Sequence, residues 1–165
     1  MYLQVDLSQT LHRIPWFVDL TPTQLDCLAS IATLFELEEG DILFKEGDRE
    51  DYLFILLEGQ MALEIEVPTL NDVLIYTAEA WDIIGWSSMT PIVRQRTASV
   101  RATKPCVLIG LNSKLLQQTC DEDHELGYVV MSRLANVVAN RLLTTRLCLL
   151  EIISQTVEQG RRLTS

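Results

Sequence analysis

Apolar and polar positions change period twice along the chain. Up to about residue 35 they recur at helical spacing, through Leu25, Leu28, Ala29, Ala32 and Phe35. The stretch opens on Thr21-Pro22-Thr23-Gln24. Thr21 can cap, Pro22 suits the first helical position, and Gln24 completes a capping box. The preceding cluster Ile14-Pro15-Trp16-Phe17 predicts a short helical turn docked on the body. From 36 to 111 the period falls to two: Met61, Leu63, Ile65 and Val67 alternate with Ala62, Glu64 and Glu66, an apolar inner face and a wet outer one. Gly40-Asp41, Gly47-Asp48 and Gly59-Gln60 punctuate strands at 42–44 and 52–57, as turns do. Runs at 73–76, 97–102 and 107–111 supply further strands. Short strands with few helices between them predict an antiparallel sandwich or barrel.

Beyond 111 the helical period returns. Asn112-Ser113 caps a short helix, and Asp121 is expected to open a long one with Glu122, Asp123 and Glu125 in its first turn, where the helix dipole favours negative charge. No proline lies between Glu122 and Gly160. About 35 helical residues would span roughly 50 Å. Leu126, Val130, Leu134, Leu142, Leu149 and Ile153 cover more than one stripe, so the helix has two things to bury against. One is its own β-domain and the other the same helix of a second chain, which predicts a homodimer. The reading is one domain over 1–165, with N-terminal helices at 11–35, the β-region at 36–111 and C-terminal helices at 112–159.

Composition narrows the function. The 165 residues are 48% hydrophobic and 22% charged, with 13 Lys+Arg against 23 Asp+Glu and a net charge of −10. A phosphate-binding face for duplex DNA needs clustered excess cations, so neither nucleic acid nor an anionic membrane is an expected partner. No apolar run reaches a membrane span, and the start, Met1-Tyr2-Leu3-Gln4-Val5-Asp6, lacks the basic and apolar regions of a signal peptide. Cys27, Cys106, Cys120 and Cys148 lie far apart with no C-x-x-C pair. They read as reduced, mostly buried residues of a cytoplasmic protein without metal or redox cofactor. An enzyme is not expected. Gly85-Trp86-Ser87-Ser88-Met89 misses the nucleophile elbow at its fifth position. His12 and His124 lack triad or metal partners and read as surface residues. Glu36, Glu38, Glu39, Glu64 and Glu66 read as a solvated face.

The informative stretch runs from Asp82 through Gly85-Trp86-Ser87-Ser88-Met89 to Arg96-Thr97-Ala98. A glycine lets backbone approach a ligand closely. Ser87 could cap a short turn whose N–H groups face an anion. An arginine 11 residues on, at Arg96, supplies a cationic fork for phosphate. Alone, the same residues could be a hairpin excursion with Arg94, Arg96 and Arg101 as surface charges.

Gly40-Asp41-Ile42-Leu43-Phe44, Glu46-Gly47-Asp48, residues 53–59, Ile84-Gly85 and Arg96-Thr97-Ala98 together resemble the cyclic-nucleotide-binding domain of catabolite-activator-type regulators, protein kinase A regulatory subunits and cyclic-nucleotide-gated channels. The resemblance covers residues 11–150. It implies a mainly β fold, a jelly-roll β-roll with flanking α-helices, including an N-terminal helix and a long C-terminal dimerisation helix. It implies ligand contacts at Gly85, Trp86, Ser87, Ser88, Arg96, Thr97 and Ala98, and a base contact near Thr145. The resemblance also locates two departures. Where the family has a glutamate for the ribose 2′-hydroxyl, this chain has Trp86, and an indole cannot accept a hydrogen bond. The family's regulators continue into a helix-turn-helix, whereas here only a short tail follows the long helix, so DNA binding by this chain is not expected. Two readings follow. One is a non-catalytic sensor for a cyclic nucleotide or other phosphate-bearing ligand, with tight cyclic AMP binding opposed by Trp86. The other is a protein–protein interaction module with an empty pocket.

Overall fold

The computed structural model describes residues 6–49, 51–68, 71–93 and 95–163; Arg94 and the first five residues lie outside that set. Helix α1 (Leu7–Arg13), a 3-10 turn (Pro15–Phe17) and α2 (Pro22–Ser30) precede eight strands: β1 (Ala32–Leu37), β2 (Ile42–Phe44), β3 (Tyr52–Glu58), β4 (Met61–Val67), β5 (Asn71–Ala78), β6 (Ile83–Ile84), β7 (Ser99–Ala102) and β8 (Cys106–Asn112). A second 3-10 turn (Trp86–Met89) sits between β6 and β7, and α3 (Ser113–Glu122) and α4 (His124–Leu163) close the chain. The strands form two antiparallel four-stranded sheets, ordered β1-β8-β3-β6 and β2-β7-β4-β5.

Strand β3 explains the roll. Leu53 and Ile55 join the core beneath the helices, with Leu28, Ile109, Val130 and Leu134. Phe54 and Leu56 join the core between the sheets, with Phe44, Met61, Val100 and Leu108. A strand buried on both faces reads as a continuous apolar run, which is the sequence at 53–56.

Several boundaries differ from the sequence reading. The N-terminal helix stops at Ser30, not near 35; Ala32–Leu37 pairs along its length with β8. Ala32 and Leu34 pack under the helices while Phe35 and Leu37 pack between the sheets, and apolar residues on both faces mimic a helical pattern. The long helix opens after Asp123, not at Asp121, which closes α3 with Glu122. The Asp123 carboxylate accepts the Glu125 and Leu126 N–H groups at 3.1 and 3.0 Å and the Gln24 side-chain amide at 2.8 Å. Those bonds hold its pKa below the ordinary carboxylate value. Strand β4 does not alternate cleanly: Ala62 is buried along with Met61 and Leu63, and the register to β5 shifts between Leu63 and Glu64. Only Cys106 of the four free cysteines is fully buried, and Cys27 is exposed. Helix α1 and strand β6 went unread. The Thr21–Gln24 capping box and the Pro15–Phe17 turn stand where the sequence puts them.

Three tight turns share one geometry. In Glu38-Glu39-Gly40-Asp41, Lys45-Glu46-Gly47-Asp48 and Glu79-Ala80-Trp81-Asp82, the aspartate carboxylate accepts the first residue's N–H at 2.9 Å. The aspartate N–H donates to the first residue's carbonyl at 3.0–3.1 Å. The third residue is left-handed each time, with φ +95° at Gly40, +85° at Gly47 and +77° at Trp81. Glycine takes that conformation freely, whereas a residue with a Cβ is strained by about 1–2 kcal/mol.

Candidate ligand pocket

The β5–β6 turn feeds the candidate cassette. Gly85, at φ +81°, starts the Trp86–Met89 turn, so the cap position is Gly85 rather than Ser87. A Cβ on Gly85 would collide with the Arg96 Nη1 atom, so this glycine answers both to its backbone angle and to the arginine behind it. The Gly85 carbonyl accepts from the Ser88 N–H at 3.1 Å, the Ser88 hydroxyl at 2.9 Å and Arg96 Nη1 at 2.8 Å. Ser113 at the start of α3 donates its hydroxyl to Ser88 Oγ at 2.7 Å, tying the cassette to the helices.

Arg96 is 3% exposed. Its Nη2 donates to the Tyr52 carbonyl at 2.8 Å, and its guanidinium lies 4.2 Å from the Phe44 ring centroid, a cation–π distance. Its main chain is clamped by the β2–β3 turn: Gly47 N–H donates to the Arg96 carbonyl, and Arg96 N–H to the Asp48 carbonyl, each at 2.9 Å. It is therefore no surface charge. Arg101 pairs with Glu64 at 2.7 Å. Asp82 accepts the Tyr76 hydroxyl at 2.9 Å besides closing its own turn.

Gly85, Trp86, Ser87, Thr97 and Ala98 come together around one small cavity of about 20 Å³, completed by Phe44, Val100 and Arg141. That is room for about one water. Trp86 packs on the helical core and lines this space. Arg96 and Ser88 instead line an outer cleft of about 330 Å³ with Asp48, Thr90, Gln95 and Gln117; Ser87 borders both. Thr145 is half-buried and borders neither.

Sequence reasoning missed Arg141, one helical turn before Thr145. It is 7% exposed, its guanidinium carbon stands 3.4 Å over the Tyr76 ring, and Nη2 donates to the Ile83 carbonyl at 3.4 Å. Its Nε has no hydrogen-bond partner among the described residues. Burial, and the hydrogen bond to Asp82, push the Tyr76 hydroxyl above its ordinary pKa, against the opposing effect of Arg141. The available signal was spacing: Leu134 and Cys148 stand seven residues to either side of Arg141 on the body-facing stripe of α4. Among the described residues no group of His, Cys, Asp and Glu could hold a metal ion, and no helix is long and apolar enough to cross a membrane.

The model of the cyclic nucleotide-binding domain family matches residues 34–123. Among solved structures, a Geobacter metallireducens protein described as cyclic nucleotide-binding superposes with a TM-score of 0.72 at 30% identity, over 82% of this chain and 97% of that one. A cyclic nucleotide-binding domain from Methylobacillus flagellatus gives 0.72 at 26% identity, over 90% and 82%. The sensor domain of the Pseudomonas aeruginosa transcriptional regulator DNR shares the fold, at 0.69 and 18% identity over 82% and 90%. No curated protein matches the chain.

Proposed function

The chain belongs to the cyclic nucleotide-binding domain family, and from that premise we propose a non-catalytic regulatory module whose nucleotide-type pocket is filled by its own side chains and which acts through protein contacts. The observation that carries this is the size of the cavity lined by Trp86 and Arg141, about 20 Å³, against the roughly 300–1,000 Å³ of small-molecule sites. Arg96 supports it as well, since Gly85 and Tyr52 carbonyls already take both ends of its fork. The first protein contact is a second copy of the chain. Tyr128, Met131, Ala135, Val138, Leu142, Thr145 and Leu149 recur in alternating steps of three and four along α4, the seam of a paired helix. Leu142 is 71% exposed and Leu149 56%, more than a monomer tolerates in a contiguous patch. The four free cysteines support a reducing, cytoplasmic setting.

Calorimetry with cyclic AMP tests the pocket. The wild type is expected to show no saturable heat. Trp86→Glu restores an acceptor worth roughly 1.5–3 kcal/mol, about ten- to 150-fold in affinity. Tight binding by the wild type would sink the filled-pocket reading. Sedimentation tests the seam: a dimer for the wild type and a monomer for Leu149→Glu. The outer cleft favours a second reading, in which Arg96, Ser88 and Thr90 take a phosphate-bearing ligand from outside. A thermal-shift panel of phosphorylated metabolites checks it, with any gain lost in Arg96→Ala. Saturation at 100 times Kd adds about 2.7 kcal/mol.

A further inference from the structure

The Trp81 turn departs from its two siblings. All three close with the same aspartate carboxylate bond and the same left-handed third residue. Two spend a glycine there and the third a tryptophan, the bulkiest side chain, in a conformation L side chains rarely adopt. The Trp81 N–H donates to the Leu56 carbonyl at 2.7 Å, which the siblings match with Gly40 to Ala102 and Gly47 to Arg96; the backbone thus gains nothing from the indole. Nor is the side chain deep in a core, being 39% exposed. Strained residues held by over-determined surroundings cluster at sites that use them.

What the indole does is wall a groove of about 300 Å³ between the β5–β6 turn, the Pro15–Phe17 turn and α4. Trp16 contributes a second indole, Ile83 and Val137 an apolar floor, and Asn136 and Asn140 two exposed amides one turn apart on α4. The charges at the groove are already engaged. Arg133 pairs with Asp19 at 2.6 Å, and the Asp82 carboxylate holds the Tyr76 hydroxyl and the Glu79 N–H. Nothing there calls for a charged ligand. Indole faces stack on planar rings, and an asparagine amide offers a donor and an acceptor side by side, the complement of a heterocycle edge with one of each. We propose that this groove is a binding site, separate from the Gly85–Arg96 pocket, for a neutral planar heterocycle with a hydrogen-bonding edge, of the kind an uncharged nucleoside presents, and that Trp81 is retained for that contact.

Titrating the full chain with adenosine, guanosine, cytidine and uridine, read by tryptophan fluorescence and calorimetry, tests it. At least one nucleoside should saturate. Trp81→Gly should weaken that binding at least about tenfold, the scale of one lost stacking contact, while raising Tm by converting the turn to the form of its siblings. Asn140→Leu should weaken binding without lowering Tm. No saturable signal from any of the four at millimolar concentration would overturn the proposal, as would unchanged affinity in Trp81→Gly. Should Trp81→Gly prove less stable than wild type, Asn140→Leu decides: unchanged affinity there assigns the indole to packing and overturns the site.

Discussion

The two halves of α4 are one continuous helix, both rich in apolar residues, that differ in how much of their apolar surface the chain itself buries. In the first half Leu126, Val130 and Leu134 are at most 2% exposed, packed with α2, β3 and β8. Gly127 lets α3 press close, since a Cβ there would meet the Cys120 carbonyl oxygen at 2.7 Å. In the second half Leu142, Leu147, Leu150, Ile153 and Val157 are all about half exposed or more. Arg141 marks the boundary, the last buried charge along the helix among the described residues. The lesson is that helical apolarity states how much surface must be covered and not by what. In the first half one stripe is covered by its own chain while Tyr128 and Met131 on another stay exposed; in the second half the exposed stripe has widened to most of the apolar side chains.

The contrast can be broken hardest at Leu134. Leu134→Ala should destabilise the domain by about 2–5 kcal/mol in denaturant unfolding, because the cavity opens under the helices. A change below 1 kcal/mol would mean that the first half is no more anchored than the second. At the boundary, Arg141→Met tests whether the buried guanidinium serves stability. It has no carboxylate partner among the described residues, and replacing such a charge by an apolar chain of similar length is expected to stabilise by about 1 kcal/mol, net of the lost contact with Tyr76. A marked loss of stability would show that Arg141 holds α4 to the roll. In the second half, Leu149→Glu should move the unfolding free energy of the isolated protomer by no more than about 0.5 kcal/mol, even as it splits the proposed dimer. Unfolding outright would place the distal half inside its own chain.

The smallest effect is chemical. Burial, then the charges of Asp121 and Asp123, push the Cys120 thiol up to about 11. The thiolate is the reactive form, so a raised pKa means little of it at pH 8. Alkylation there should be slow at Cys120 and fast at exposed Cys27, the two rates converging as pH climbs toward 11. The same shift lowers stability as pH rises from the ordinary thiol range toward 11, because the unfolded chain gives up this proton first. Equal rates at pH 8 would mean that α3 opens readily from α4.

Local chemistry made much of this protein legible from its sequence. The Thr21–Gln24 box, the glycine–aspartate turns and the doubly buried run at 53–56 each follow from a few adjacent residues. The Gly85-to-Arg96 spacing likewise singled out two residues that the fold brings into contact, Arg96 Nη1 lying 2.8 Å from the Gly85 carbonyl. Tertiary structure decided what adjacency cannot reach. Ala32–Leu37 is a strand because β8, some 75 residues later, offers it a ladder; by spacing alone it passes for helix. The third tight turn was invisible because a tryptophan stands where its siblings have glycine, and only the backbone angle shows the kinship. Arg141 reaches the pocket because α4 folds back across β5 and sets its guanidinium over Tyr76. A charge at one helix position says nothing of burial until the opposing surface is in place. Periodicity and capping are short-range and written in the chain, whereas cavity volume and the covering of a helix face are sums over distant residues that only packing fixes.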